Sequence, residues 1–329
     1  MTRQRRMHGT LGVLAGAFLA LAAAAPAHAQ AWPSRTILAV IPFSAGNAND
    51  VVGRIVLDQL SRQLGQPIVI ENRAGAGGTT GVASVAKSTP DGYTILVHSS
   101  TFAAAQAIYK TLPYDTLNDF TPIIPLGLQP TVLVAAPSKG WKTLADLVKV
   151  AKANPGKLTF ASAGIGAASH LAAERFRLSA GFDALHVPYK GPNEALTDVI
   201  TGRVDFYFLP LAPALPLIKD GKLVALAVSS PHRNAALPDV PTTAEAGLKD
   251  ASYNFWSGMF LPRATPKAID DKLFEETRKA LAAASVQDRL MKLGVEPMAM
   301  SPAEFDAYFR EEVRSTVKLA KDVGIPQTE

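Results

Sequence analysis

Three stretches of this chain combine glycine with small hydroxyl and amide residues: PFSAGNAND at 42–50, AGAGGTTG at 74–81 and SAGIGAAS at 162–169. Each follows a short apolar run and leads into a segment with helical spacing. A helix N-terminus leaves backbone N–H groups unpaired and carries roughly half a positive charge. Glycine or alanine in front of it lets a small anion approach the backbone. None of the three stretches contains Lys or Arg, so an anion held there meets N–H and hydroxyl groups rather than an ion pair. Ser44, Asn47, Thr79, Thr80, Ser162 and Ser169 are the side-chain donors available. A purely local reading stands beside this one. Gly75, Gly77 and Gly78 permit a tight turn, Asn47 and Asp50 cap a helix as Asn-x-x-Asp, and Ser169 is itself an N-cap. The two readings are compatible, because a cap residue sits at the mouth of its helix.

Nucleotide motifs fail at these loops. A dinucleotide fingerprint needs a third glycine where Thr80 and Ser169 stand, and Gly156-Lys157 is followed by Leu158 rather than Ser or Thr. Catalytic motifs fail as well. His98, His170, His186 and His232 show no metal-pair spacing and no H-E-x-x-H, so no metal is expected. There is no G-x-S-x-G elbow. Ser169 and His170 are neighbours on one helix and point in different directions, so a hydrolase built on Ser169 or Ser162 is the weakest reading. The chain is expected to be no enzyme and to carry no cofactor. Lys190, between Tyr189 and Gly191, is either a solvated loop lysine or a ligand contact.

The elements that position these loops alternate. TILAVI (36–41), PIVIE (67–71) and YTILV (93–97) read as strands, with helices over 51–64 and 81–87 between them. This β-α-β-α-β order predicts a parallel, doubly wound sheet. The pattern restarts with strands at 132–135, 158–161, 184–187, 204–208 and 224–228 and helices at 143–154, 171–180 and from Pro192 to Gly202. FWSGMFL (255–261) reads as a long strand. Three helices follow, with Thr265-Pro266, Ser285 to Asp288 and Ser301 to Glu304 as start signals. No low-complexity linker separates the halves, so two lobes joined by crossing strands are expected.

Ahead of all this, Arg3, Arg5 and Arg6, the uncharged run Leu11 to Ala25 and Ala27-His28-Ala29 form a secretory leader pattern over 1–29, with cleavage near Ala29. The apolar run is short for a membrane span, which takes about 20 residues. The remaining chain of about 300 residues suits two ordinary domains. Its net charge drops from +5 to about +2 without the leader, and no basic stripe with aromatics appears, which argues against nucleic acid. The chain has no cysteine, hence no disulfide and no lipoprotein anchor. A monomer freely soluble outside the cytoplasm, without a membrane-inserted segment after processing, is expected.

The string IPFSAGNAND (41–50) resembles the V-P-F-x-x-G-G-x-x-D signature of the Bug/TctC proteins, the periplasmic solute receptors of tripartite tricarboxylate transporters. Glu71 to Gly78 (ENRAGAGG), Pro90 to Thr94, Leu112 to Asp115 and Asp119 to Pro122 continue the likeness. Ser169 to Ala172, Val187 to Gly191 and Gly202 to Asp205 carry it through the second half. The resemblance implies an α/β, type II-like periplasmic binding protein fold with the ligand cleft between two lobes. Its first lobe comprises 30–130 plus 253–329 and its second 131–252. It further implies capture of a small organic or aromatic acid for membrane permease subunits; presentation of ligand to a membrane histidine kinase is the alternative. By position, Phe43, Ser44, Asn47, Gly77, Gly78, Thr79, Ser99 and Thr101 would contact ligand from the first lobe, and Ser162, Gly166, Ala168, Ser169, Tyr189 and Asp205 from the second. Asp50 is expected to brace the first loop. The Thr79 N–H is expected to matter more to binding than the Lys190 charge. Two departures, Ala45 to Asp50 and His98 to Phe102, point away from the family's usual small dicarboxylates, and Phe102 is expected to favour an aromatic acid.

Overall fold

The computed structural model describes residues 32–328; the leader expected over 1–29 lies outside the described residues. The first run of elements is β1 (Ile37–Ile41), α1 (Ala48–Leu64), β2 (Ile68–Asn72), α2 (Thr79–Ala86), β3 (Thr94–Ser99) and α3 (Thr101–Ile108). β1 lies parallel to both β2 and β3. The second run is β4 (Phe120–Ala135), α4 (Leu144–Ala153), β5 (Thr159–Ser162), α5 (Ala168–Ala180), β6 (Leu185–Pro188), α6 (Pro192–Ile200), β7 (Phe206–Pro210), α7 (Leu211–Lys219) and β8 (Val224–Val228). The tail supplies β9 (Asn254–Pro262), α8 (Lys267–Ala282), α9 (Ala284–Lys292) and α10 (Pro302–Asp322).

The strands join in the order β2-β1-β3-β9-β4-β7-β5-β6, with β8 also on β4. The sheet is therefore mixed rather than wholly parallel, because β9 and β4 enter antiparallel at its centre. β4 belongs to both halves. Phe120 to Pro130 pairs with β9, and Thr131 to Ala135 runs between β7 and β8. Its register shifts near Pro122 and Pro125, where a missing N–H breaks the ladder. Polar side chains tie the crossing together: Gln129 Nε2 donates to Ser257 Oγ at 2.7 Å, and the Thr131 and Ser229 hydroxyls meet at 2.6 Å.

Each half packs its own core. Phe102, Phe120, Phe260, Phe305 and Phe309 fill the first, with Val40, Val82 and Leu96 from the strands and α2. Phe160, Phe176, Phe206 and Phe208 fill the second, and Ala104 and Leu319 from the first half reach into it. Fully burying one such phenylalanine contributes about 1.5–3 kcal/mol, so the aromatic clusters dominate both cores. The capping box at Ser301 forms, with Glu304 reaching back to the Ser301 N–H at 2.8 Å. The other two start signals shift. α8 is capped by Pro266, because Thr265 Oγ1 donates to the Pro262 carbonyl instead. α9 begins ahead of Ser285, which lies inside its first turn.

Candidate ligand-binding site

A cavity of about 670 Å³ opens at the C-terminal ends of β1, β3 and β5, where the three glycine stretches converge. Ligands of open α/β sheets bind at this end of the strands. Of the expected contacts, Phe43, Ser44, Asn47, Gly77, Gly78, Ser99 and Thr101 line it from one half, and Gly166, Ala168, Ser169 and Tyr189 from the other.

The first loop is held rigidly from behind. Asn47 caps α1, its Oδ1 accepting the Asn49 and Asp50 N–H groups at 2.8 and 3.2 Å, while its amide donates to the Ser44 carbonyl. The buried Asp50 carboxylate accepts Gly46 N–H at 2.8 Å and the Asn72 amide and Arg54 Nε at 2.9 Å each. Asn72 also donates to the Phe43 carbonyl at 2.9 Å. Burial raises the Asp50 pKa, but the hydrogen bonds from Arg54, Gly46 and Asn72 outweigh it and hold the carboxyl below the ordinary range.

The second loop turns on left-handed residues: Ala76, Gly77 and Gly78 have φ of 44°, 62° and 99°. Ala76 in this region is a strained conformation of the kind that clusters at functional sites. Gly77 has a second constraint, since a Cβ there would overlap the Tyr109 hydroxyl. In the third loop Ala163 N–H donates to Ser169 Oγ at 3.0 Å and Gly166 N–H to His170 Nδ1 at 3.1 Å. Ala168 and Ser169 occupy the first turn of α5, where helix geometry leaves N–H groups without intrahelical partners.

Three expected contacts do not reach the cavity. Thr79 N–H donates to the Ala76 carbonyl, and its hydroxyl donates there too at 2.9 Å, so both donors close the turn instead of facing a ligand. The expected weight of the Thr79 N–H in binding loses its basis. Ser162 is fully buried, its Oγ 2.6 Å from His186 Nε2, and it supports the third loop from below. Asp205 lies at the opposite end of β5, pairing with Lys139 at 2.6 Å and accepting Thr159 N–H at 2.7 Å. Its partners are tertiary, so residue type alone misassigned it. Ser169 is the second residue of α5, after the cap Ala167. The Tyr189 hydroxyl donates to Asp198 at 2.7 Å, leaving its ring on the cavity wall.

Phe102 is a further correction. It is fully buried in the first core, stacked on His98 at 5.0 Å and edge-on to Phe120 and Phe260 at 5.2 Å. It faces away from the cavity, so it selects no aromatic ligand. The wall also includes residues with no local signal: Ala104, Ala105, Ile108, Tyr109, Phe255 and Thr328. Lys190 is the single charged residue among those lining the cavity.

Two imidazoles brace the third loop. His170 and His186 stack 3.9 Å apart, with Phe160 stacked on His186 at 4.8 Å. His170 Nδ1 accepts an N–H, so it is no base for a serine. Burial pushes His98 down to about 3 and His186 to about 4, and burial together with the neighbouring His186 and Arg177 takes His170 to about 3. Unfolded, each titrates near 6.5. Their folded-state contribution is therefore complete above pH 6.5 and is lost as pH falls toward the folded values. The loss approaches about 4 kcal/mol per pH unit with all three taking part. The melting temperature is expected to fall steeply between pH 6.5 and 4.5, and less steeply in His186→Gln. A flat melting curve over that range would contradict the buried neutral imidazoles.

The model of the tripartite tricarboxylate transporter family receptor matches residues 52–325. The chain belongs to this TctC family. This TctC protein is 37% identical over 314 residues, 94% of each chain, to a protein of the tcbD–tcbE intergenic region of Pseudomonas sp. strain P51. A Rhodopseudomonas palustris protein solved with adipate superposes with a TM-score of 0.84 at 32% identity, covering 90% of this chain and 100% of the other. MatC from Rhodopseudomonas palustris with bound malate gives 0.80 at 33% identity, covering 88% and 100%. The TctC fold is the two-lobed periplasmic binding protein fold with a cleft between its lobes, and TctC proteins are receptors rather than enzymes. Among the described residues no helix is long and apolar enough to cross a membrane.

Proposed function

We propose that this receptor captures a small organic acid in the periplasm and delivers it to the membrane permease subunits of a tripartite transporter. The observation that carries the reading is the cavity wall, where three glycine-bearing loops and the first turn of α5 surround a space with one charged side chain, Lys190. Such a wall offers N–H groups and helix ends to a carboxylate, with Ser44, Ser99, Thr101 and Ser169 as hydroxyl partners. The volume lies within the range of small-molecule sites. Adipate and malate in the two related R. palustris proteins support the ligand class. We assign 30–130 and 253–329 to the first lobe and 131–252 to the second, because β4 changes partners between Pro130 and Thr131. The receptor acts as a monomer after leader cleavage near Ala29.

The test is a thermal-shift and calorimetric panel on protein freed of co-purified ligand, with linear and aromatic mono- and dicarboxylates beside neutral sugars and amino acids. At 100 times its Kd a carboxylate stabilises the folded state by about 2.7 kcal/mol. A matching rise in melting temperature is expected for at least one acid. A panel in which no acid shifts the curve, or only a sugar does, would sink the reading.

A further inference from the structure

α3 ends at Ile108, and Tyr109 continues in extended conformation. The carbonyls of a helix's last turn need partners from elsewhere. Here the partner comes from far along the chain. Thr328 N–H donates to the Ile108 carbonyl at 2.7 Å, and Lys110 N–H donates to the Thr328 carbonyl at 3.0 Å, a short parallel pairing beside Tyr109. Ile325 turns back from α10, its N–H on the Ala320 carbonyl at 2.9 Å, and packs on Ala107, Ile108 and Ala320.

The two residues pinned in this way touch both sides of the cleft. Ile108 packs against Gly166 of the third loop so closely that a Cβ there would overlap Cγ1. The Tyr109 hydroxyl meets Gly77 of the second loop. Ile108, Tyr109 and Thr328 all line the cavity. We propose that residues 325–328 form a strap that holds Ile108 and Tyr109 against the two glycine loops and so positions both loops for ligand. The proposal rests on the reading of the cavity as the acid site. Thr328 acts through Ile108 and Tyr109 and is a positioning residue.

The experiment compares the full chain with one ending after Gly324, with Thr328→Pro, and with Lys321→Ala as an exposed control on α10. Adipate and malate are the probes. Each lost hydrogen bond is expected to weaken binding about 3- to 10-fold, mainly through faster dissociation, in the shortened chain and in Thr328→Pro but not in Lys321→Ala. Hydrogen exchange without ligand gives a second readout, at the Gly78 and Thr79 amides that close the second loop. Faster exchange there in the shortened chain supports the strap, and unchanged exchange with unchanged affinity overturns it. A full chain that binds no acid at all would remove the functional reading, and the exchange comparison would still decide the strap.

Discussion

Replacing Gly166 with alanine is expected to weaken acid binding about 30- to 100-fold while lowering the melting temperature of the unliganded protein by only a few degrees. Gly166 has a φ of 76°, where an L-residue is disfavoured by roughly 1–2 kcal/mol. That strain falls on the folded protein with or without ligand. The overlap with Ile108 is different in kind. A Cβ would meet Cγ1 and come within 2.9 Å of Cδ1 and 3.2 Å of Cγ2, so a change of rotamer exchanges one clash for another. Overpacking of this sort costs about 1–3 kcal/mol, and a side chain pinned by its backbone belongs to the upper part of that range. Ile108 and Gly166 meet on the wall of the cavity, so the overlap falls at the ligand site and the substitution is expected to act on binding. Titration calorimetry with whichever acid binds the wild type reads the loss directly, and Ile108→Ala in the same chain should recover part of it. Wild-type affinity in Gly166→Ala would mean that the lobes do not need this contact to hold ligand.

The second large effect concerns Asp50. Its removal in Asp50→Ala is expected to cost about 3 kcal/mol of stability, with most of the binding. Arg54 is half in solvent, so that ion pair contributes little. The loss comes from the half-buried Asn72 amide, left without its carboxylate at about 1–3 kcal/mol, and from the Gly46 N–H bond that closes the loop, at about 0.5–1.5 kcal/mol. The melting temperature should drop by roughly 5–10 °C, and the loop from Phe43 to Asn47 should lose its shape with it. The pH behaviour separates this from the histidines. A carboxyl held below its unfolded pKa stabilises the fold above that value and stops doing so only as pH falls through the folded one. The difference between wild type and Asp50→Ala should therefore stay constant from pH 7 to about 5, while the histidines are already weakening both proteins. A variant melting within 2 °C of wild type, by about the resolution of the scan, would show that Asp50 does not brace the loop.

Much of this site was readable because its signals are local. A short apolar run, a glycine cluster and a helical pattern lie within a dozen residues, and each predicts the next. What escaped was non-local. Pro122, Pro125 and Pro130 lack the N–H that a ladder uses, yet β4 runs through them with register shifts at two of the three. α3 is a run of alanine and apolar residues without a polar face, so periodicity could not mark it. Thr328 gave no sign of meeting Ile108, because the pairing joins residues 220 positions apart. Thr79, Ser162 and Asp205 have the right chemistry for a ligand, but their donors and acceptors were claimed by Ala76, His186, Lys139 and Thr159. Residue type names a capacity; only the neighbours decide where it goes.

The crossing of β4 and β9 carries one more consequence, for the order of events during synthesis. β3 has β9 as its inner neighbour, and Phe305 and Phe309 of α10 fill the same core as Phe102. Phe102 and Phe120 therefore cannot complete their aromatic cluster until the last seventy or so residues have been made. Contacts separated so widely in sequence form late. Emerging at about 5–20 residues per second, the chain spends most of its translation without a closed first lobe. A chain that cannot finish folding until its tail is made stays open to handling by other factors through most of its synthesis.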